Sequence, residues 1–250
     1  MSHFRLKSRF AFPALTLTRA ALLCGGIVCL AAPVAAQFVL RPSVATLSTV
    51  VVAQWNMDET SGTTMTDSSG NNNNGTLYNV QTTGSGYVFN GTSSKVVVPN
   101  SASLNPGASD FTFTAQVQTS SLPATLGADF DIIRKGAAST SGGGFRMEIE
   151  NHKGVGVAKC SVSDSNKVTL SVHSTRSVVD GQPHTVSCQK NSAGLTLYLD
   201  GRANGTGFRP GTLGSVSNTK PLTIGVSAPN ATTTSEWYNG SLEGITISVG

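Results

Sequence analysis

Residues 111–118 read FTFTAQVQ, and this stretch decides the fold class because its apolar and polar side chains alternate strictly. A period of two places one face of a β-strand on a core and the other face in water. Three further segments repeat the pattern: FRMEIE at 145–150, LTLYL at 195–199 and ITISV at 245–249. The alternation therefore predicts a chain built mainly from β-strands.

Turn-forming dipeptides separate these strands, namely Asn90-Gly91, Asp180-Gly181, Asp200-Gly201 and Asn239-Gly240. Such pairs are typical of the tight turns between antiparallel strands. No segment has apolar residues at helical spacing over more than about two turns. We therefore expect an all-β domain over residues 50–250, an antiparallel β-sandwich or barrel, preceded by a leader segment at 37–49.

The charge of the chain is concentrated near its start. The formal net charge is +4, from 17 Lys and Arg against 13 Asp and Glu. Four of the basic residues lie within residues 1–36, which contain no acidic residue, so 13 basic and 13 acidic residues remain from Gln37 onward. Because a nucleic-acid-binding surface needs clustered Lys and Arg on the folded part, we expect no nucleic-acid partner.

Residues 1–36 have the features of a secretory signal peptide. Basic residues precede an apolar run of 13 residues at 20–32, and small residues precede the predicted cleavage after Ala36. A retained membrane anchor is the alternative, but the run is short for a hydrocarbon core about 30 Å thick. A lipoprotein signal is disfavoured because two leucines precede Cys24, and an organellar transit peptide fits less well. We expect secretion, or export to a periplasm or cell surface, without membrane insertion after cleavage.

Cys160 and Cys188 are the cysteines that remain after residue 36. An even pair in an exported protein predicts a disulfide, which would stabilise the fold by roughly 3–4 kcal/mol. Two unpaired buried thiols on adjacent strands are the alternative. A zinc site is disfavoured because the two cysteines lack CxxC spacing and nearby histidines.

The segment WNMDETSGTTMTDSSGNNNNGTL at 55–77 resembles the opening of laminin-G-like domains of the concanavalin A-like lectin/glucanase superfamily. The segments that follow resemble the family in the same order: YVFNGTSSKVVVPNSASLNP, DFTFTAQVQ, DIIRKG, GGFRMEIE and PHTVSCQKNSAGLTLYLDGR. The resemblance implies a concanavalin A-like jelly roll over residues 50–250. It also places Cys160 and Cys188 where secreted members commonly carry a bridge. It leaves the function open, because this fold serves lectins, adhesion modules, glycosidases and lyases.

The resemblance also implies one Ca²⁺ at the rim of the sandwich, held by oxygen ligands from loops. The aspartate expected before the FRMEI strand is Gly144 here, which departs from the family pattern. The second side-chain ligand corresponds to Asn218, and Asp164 would restore a carboxylate nearby. A second candidate is Asp67 with Asn72, for which a solvated Asn-rich turn is the alternative.

Enzymatic activity is not expected. Retaining glycosidases need two carboxylates about 5–5.5 Å apart, and glucanases of this fold carry a central aspartate between two glutamates. Glu148 and Glu150 lack that aspartate, so we interpret them with Arg146 as an exposed, salt-bridged outer face of a strand. No catalytic serine, phosphate-loop or HExxH pattern is present. A divergent polysaccharide-degrading enzyme remains the alternative.

Sugar binding requires an exposed aromatic ring beside polar groups. Trp237 and Tyr238, next to Asn239, lie in a polar stretch between strands and are the predicted ligand-binding residues, with core packing as the alternative. We therefore expect a secreted, non-catalytic module that binds a carbohydrate or another surface or matrix ligand through its rim loops. The other possibility is a protein–protein adhesion module without sugar affinity.

Overall fold

The computed structural model describes residues 49–205, 213–232 and 236–250. The predicted signal peptide, and the predicted leader up to residue 48, lie outside these residues. Within the described ranges the chain forms antiparallel strands and one short 3₁₀ helix, Ala102–Leu104. The strands are β1 (Val50–Trp55), β2 (Thr64–Met65), β3 (Gly75–Tyr78), β4 (Gln81–Thr82), β5 (Tyr87–Asn90), β6 (Lys95–Val98), β7 (Phe111–Gln118), β8 (Asp129–Lys135), β9 (Gly144–His152), β10 (Val155–Ser163), β11 (Thr169–Ser177), β12 (Pro183–Asn191), β13 (Gly194–Leu199), β14 (Arg202–Ala203), β15 (Leu222–Ile224) and β16 (Asn239–Val249).

Two sheets form the sandwich. The first sheet has the order β14-β13-β12-β7-β16-β5-β4, with β1 also paired to β16. The second sheet has the order β11-β10-β9-β8-β15-β6-β3-β2. The prediction of an all-β antiparallel sandwich is therefore confirmed.

The core lies between the inner faces of the two sheets. In β7 the residues from Phe111 to Gln118 alternate strictly between buried and half-buried side chains, as their sequence pattern predicts. Phe113 of the first sheet packs on Phe145 of the second, with ring centroids 5.0 Å apart, and Phe111 lies 5.4 Å from the same ring. Aromatic pairs at such distances add to the stabilisation that burial provides.

Of the four predicted turns, the one at Asp200-Gly201 is confirmed as a tight hairpin turn, and the one at Asn239-Gly240 is wrong. Asn90-Gly91 and Asp180-Gly181 lie where the chain passes between strands of different sheets. At the β13–β14 hairpin, Asp200 and Gly201 both have positive φ, of 53° and 75°, as a type I′ turn requires. Asn239-Gly240 instead begins the long strand β16. Gly240 serves close packing there, because a Cβ at this position would lie 2.4 Å from the carbonyl oxygen of Gln118.

A disulfide joins the two sheets. Cys160 lies on β10 of the second sheet and Cys188 on β12 of the first, and their Cα atoms are 5.7 Å apart. Both side chains point into the core, where neither is exposed. The alternative of two unpaired thiols on adjacent strands is thus replaced by a bridge across the sandwich.

The described residues contain no helix with the length and apolar character needed to cross a membrane.

We expect the Cys160→Ala/Cys188→Ala variant to lose roughly 3–4 kcal/mol in its free energy of unfolding, because the bridge closes a loop across 28 positions of sequence. Urea titration followed by circular dichroism measures the loss. Reduction of the unmodified protein should lower its stability by a similar amount. Equal stability of the oxidised protein and the variant would contradict a structural role for the bridge.

Candidate functional site

The outer face of the second sheet carries a cluster of charged side chains. Strand β9 directs Phe145, Met147 and Ile149 into the core, so its intervening residues point the other way. We call this outer surface the recessed face, and it comprises Asp129, Asp131 and Arg134 from β8, Arg146, Glu148, Glu150 and His152 from β9, Lys159 from β10 and His173 from β11.

The recessed face is buried to an unusual degree for the outside of a sheet. Asp131 and Glu148 have no exposed surface, and Glu150 is 9% exposed. The prediction that Arg146, Glu148 and Glu150 form an exposed outer face was therefore wrong about the exposure of the two glutamates. It was right that these residues form ion pairs. The reason lies outside β9: the neighbouring strands contribute long side chains of their own, which pack over these carboxylates.

Three carboxylates meet at the centre of this face. Oxygen atoms of Asp129, Asp131 and Glu148 lie within 4.8 Å of one another. Asp131 Oδ2 lies 2.9 Å from Arg134 Nη1, and Glu148 Oε1 lies 2.6 Å from Arg146 Nη1. Burial and the charge of Glu148 raise the pKa of Asp129 to about 6. Burial also raises the pKa of Asp131 well above its usual value, against the opposing effect of Arg134.

A second group on the same face combines one carboxylate with two imidazoles. His152 Nδ1 lies 3.3 Å from Glu150 Oε1, and His173 Nε2 lies 3.3 Å from Glu150 Oε2. Lys159 Nζ lies 2.6 Å from Glu150 Oε2. Burial is the largest single influence and opposes ionisation of Glu150, but the contacts with Lys159 and His173 together outweigh it and lower the pKa of this carboxyl to about 2. Glu150 is thus a fixed carboxylate at neutral pH.

A cavity of about 310 Å³ opens beside the recessed face. Arg134 and Thr223 form its floor on β8 and β15, and residues 227–230 with Glu236 form a wall. The remaining lining residues are Gly136, Ala137, Thr140, Lys220 and Pro221. The wall is tied to the sheet by a hydrogen bond of 3.3 Å from the backbone N–H of Asp131 to the carbonyl oxygen of Glu236. The cavity therefore combines hydrogen-bond donors and acceptors with small apolar surfaces.

The predicted aromatic platform is wrong, because Trp237 and Tyr238 are buried, at 4% and 0% exposure. The Tyr238 ring packs between Phe89 and Phe130, with centroids 5.8 and 6.4 Å away. Its hydroxyl lies 2.9 Å from the carbonyl oxygen of Ser241 and is thereby satisfied inside the protein. Polar neighbours in the sequence made both residues look exposed, but the start of β16 carries them into the core.

Asn239, the third predicted ligand-binding residue, is exposed at the rim. Its Nδ2 donates to Ser121 Oγ at 2.9 Å. With Trp237 and Tyr238 inside the core, no aromatic ring of this triplet accompanies Asn239 at the surface.

The predicted calcium ligands Asp164 and Asn218 both flank the turn at Gly143, and both are buried. Asn218 Nδ2 donates to the Gly143 carbonyl oxygen at 2.9 Å, and a Cβ on Gly143 would lie 2.7 Å from the Asp164 carbonyl carbon. The Asp164 carboxylate accepts backbone N–H bonds from Asn166, Val168 and Gly214, at 2.8, 2.9 and 2.7 Å. These bonds give Asp164 a structural role in its loop.

A buried ammonium group occupies the same rim. Lys135 Nζ donates to Asn100 Oδ1 at 2.7 Å and to the Lys220 carbonyl oxygen at 2.8 Å, and it lies 3.4 Å from the carbonyl oxygen of Asn218. The oxygen atoms that could bind a metal cation at this rim thus already surround the ammonium group of Lys135. Binding of Ca²⁺ by Asp164 and Asn218 stays a prediction, and it would have to overcome repulsion from Lys135.

Asp67, from the second calcium candidate, organises the first loop. Its carboxylate accepts backbone N–H bonds from Gln54, Ser69 and Asn73 at 2.8–2.9 Å, and the bond from Ser69 closes an Asx turn. Asn72 is exposed and has a left-handed backbone, with φ of 57°. Burial alone would raise the pKa of Asp67, but the three N–H donors lower it below its usual value.

The sequence analysis missed Asp129, Asp131, His152 and His173. Each strand alone gave a usable signal, because Asp129 and Asp131 are two positions apart, as are Glu148 and Glu150. Only the pairing of β8 with β9, which sets Asp131 opposite Glu148, turns the two acidic pairs into one cluster.

Comparison with known proteins identifies the family to which this architecture corresponds. The family model described as the concanavalin A-like lectin/glucanases superfamily matches residues 90–248. No curated protein is a significant sequence match to the chain.

Three solved structures share the fold at 13–15% identity. The binding domain of Paraclostridial Mosquitocidal Protein 1 has a TM-score of 0.58 at 15% identity, over 80% of this chain and 47% of that one. Domain 4 of an extracellular arabinanase from Geobacillus stearothermophilus, in complex with arabinotriose, has a TM-score of 0.56 at 15% identity. The match covers 81% of this chain and 93% of that domain. The binding domain of Botulinum Neurotoxin DC in complex with SialylT has a TM-score of 0.53 at 13% identity. The match covers 80% of this chain and 46% of that one. The chain thus spans about half of the two toxin binding domains.

We expect Asp67→Asn to lower the free energy of unfolding by about 2–4 kcal/mol at pH 7, because an amide nitrogen would face backbone N–H donors. The folded-state pKa of Asp67 is lowered, so its contribution is present above about pH 4 and is lost as the pH falls through the folded-state value. Stability measured by urea titration should therefore differ less between variant and parent at pH 3 than at pH 7.

The matched control is Asp58→Asn, since Asp58 is an exposed aspartate nearby in the chain, in the loop between β1 and β2. Its stability should stay within about 0.5 kcal/mol of the parent. A loss in Asp67→Asn no larger than in this control would show that the loop does not depend on the carboxylate.

Proposed function

The chain belongs to the concanavalin A-like lectin/glucanases superfamily, and we propose that it is a secreted, non-catalytic module that binds carbohydrate in the cavity beside the recessed face. The observation that carries this proposal is the composition of the cavity wall. It presents a guanidinium, an ammonium, a carboxylate, an amide and three hydroxyl groups around about 310 Å³. This site replaces the rim platform, since Trp237 and Tyr238 are buried.

The lining matches the chemistry of sugars. Sugar hydroxyls both donate and accept hydrogen bonds, so they need donors such as Arg134 and Lys220 and acceptors such as Glu236, and Asn230 offers both. The described lining has no aromatic ring of the kind expected for sugar binding, so Pro221 and Pro229 would supply in its place the small apolar surfaces for the C–H faces of a sugar. The volume lies at the lower end of the range for ligand pockets, which favours a ligand of one or two sugar rings.

The comparisons support the same ligand class. Arabinotriose is bound to the arabinanase domain, of which this chain covers 93%, and SialylT is bound to one of the toxin binding domains. The shared fold makes carbohydrate the first class of ligand to test for this chain.

The adhesion-module alternative is less well supported. Protein–protein interfaces bury about 800 Å² on each partner and are centred on aromatic, Met and Arg anchors. Among the described residues of the lining none is aromatic or Met, and Arg134 is the single anchor of this kind. A small polar ligand therefore suits this cavity better than a protein surface does.

Secretion is supported by the sequence of residues 1–36 and by the bridge between Cys160 and Cys188. Disulfides form and persist mainly in oxidising compartments, whereas the cytosol keeps thiols reduced. We therefore propose that the domain acts outside the cytosol, at a cell surface or beyond it.

We expect Asn230→Ala to weaken binding of the best-bound oligosaccharide about tenfold, which corresponds to the loss of one or two hydrogen bonds from an exposed residue of the cavity wall. Ligands would be found with an array that includes arabino-oligosaccharides and sialylated glycans, and affinities measured by isothermal titration calorimetry. The protein should come from a host that does not glycosylate Asn-x-Ser/Thr sites.

Asn239→Ala is the matched control, because Asn239 is also exposed and also begins an Asn-x-Ser/Thr triplet, but lies at the rim. It should leave the affinity unchanged. A loss in Asn239→Ala with none in Asn230→Ala would move the site back to the rim. Absence of binding to any glycan by folded protein would favour the adhesion module.

We expect no release of reducing ends from a panel of polysaccharides, because Asp131 and Glu148 have no exposed surface through which a glycosidic bond could reach them. The assay compares the parent with Glu148→Gln. Activity in the parent that is lost in this variant would instead support a polysaccharide-degrading enzyme using the recessed face.

A further inference from the structure

Three metal-ligating side chains converge at one end of the recessed face, away from the residues that line the cavity. We propose that Glu150, His152 and His173 form a binding site for a divalent transition-metal ion, represented by Zn²⁺. One ligand atom from each of these residues lies within 4.8 Å of the other two. The inference stands apart from carbohydrate binding, since none of the three residues lines the cavity.

The spacing of the donor atoms fits zinc. His152 Nδ1 lies 3.3 Å from Glu150 Oε1, and His173 Nε2 lies 3.3 Å from Glu150 Oε2. In a tetrahedral site with bonds of 2.0–2.1 Å, neighbouring ligand atoms are about 3.3 Å apart. The imidazole rings lie side by side, with centroids 4.9 Å apart and planes tilted by 36°. Both rings therefore present a nitrogen to the same carboxylate from adjacent positions.

One nitrogen of the group lacks a partner. His173 Nε2 is buried and makes no hydrogen bond, because the nearby Glu150 oxygen is not aligned with it. A buried polar atom without a partner costs free energy, and coordination of a metal ion would satisfy it. The His152 side chain is 43% exposed, which leaves the site open to an ion from solvent.

The framework of the site is rigid. Glu150 and His152 are two positions apart on β9 and so share a face, while His173 lies on β11, with β10 paired between the two strands. Lys159 on β10 fixes Glu150 Oε2 at 2.6 Å and leaves Oε1 on the side of His152. Lys159 therefore orients the carboxylate, as hydrogen-bonding partners of metal ligands commonly do.

The donor set selects the kind of metal. Two imidazoles and one carboxylate suit Zn²⁺, Ni²⁺ or Cu²⁺, whereas Ca²⁺ and Mg²⁺ need mostly oxygen ligands. The neighbouring all-carboxylate cluster of Asp129, Asp131 and Glu148 is a poorer candidate. It supplies only oxygen ligands, and Asp131 and Glu148 have no exposed surface through which an ion could enter.

The test is isothermal titration of the untagged, EDTA-stripped chain with ZnCl₂, and with CoCl₂ followed by visible absorption. We expect one Zn²⁺ per chain and Co²⁺ bands typical of nitrogen and oxygen ligation. Single variants His152→Ala, His173→Ala and Glu150→Gln should each weaken Zn²⁺ binding by at least 10–100-fold. CaCl₂ should not compete with Zn²⁺.

The matched control is His184→Ala, which removes a histidine from the first sheet, where Asp180 and Asp200 hold it. Its Zn²⁺ affinity should equal that of the parent. Residues 1–36 are the same in the parent and in every variant, so the differences between them report on this cluster alone. Absence of Zn²⁺ binding by the parent, or equal binding by the folded His152→Ala/His173→Ala variant, would overturn the proposal.

Discussion

The packing of one sheet on the other is the constraint on which the rest of the structure depends, and the Cys160–Cys188 bridge fixes it covalently near the middle of the core. Because the inner faces are filled by apolar side chains, chemically active groups can lie only on the outer faces or at the rim. On β9 this constraint acts residue by residue: Met147 enters the core, so Glu148 must face outward. The recessed face is thus a direct consequence of how the core is built.

The sequence was sufficient to predict what depends on local pattern. Alternation predicted the strands at 111–118 and 245–249, and the even cysteine count predicted the bridge. The sequence was not sufficient to predict which outer-face side chains are buried. Alternation indicates the face of the sheet on which a residue lies, but not which residues of the neighbouring strands lie beside it. Glu148 was expected in water, yet Asp131 on β8 and Lys159 on β10 lie directly opposite it. That register joins residues 10–20 positions apart and has no signature within either strand.

The same limit explains the errors near the end of the chain. Trp237 and Tyr238 have polar neighbours, which is the local signature of a surface loop, and Asn239-Gly240 has the signature of a turn. Tyr238 is instead buried against Phe89 of β5 and Phe130 of β8. Gly240 packs on the carbonyl oxygen of Gln118 in β7, while Lys95 of β6 lies over the Trp237 ring. Contacts with segments distant in sequence, and not local sequence propensity, therefore determine the burial of Trp237 and Tyr238.

The energetics of the recessed face indicate that its charges are not there to stabilise the fold. Burying an ion pair such as Asp131 with Arg134 costs desolvation energy that its attraction only about offsets, and apolar replacements are often as stable. The outer face of the first sheet needs no such pairs, since β7 presents Thr112, Thr114 and Gln116 there. Both sheets therefore have outer faces, but only the second gathers four carboxylates, three fixed cations and two imidazoles on its face. A sheet whose outer face can be covered by threonine and glutamine does not need such a cluster for its stability, and this is why the carbohydrate and metal proposals both start from this face.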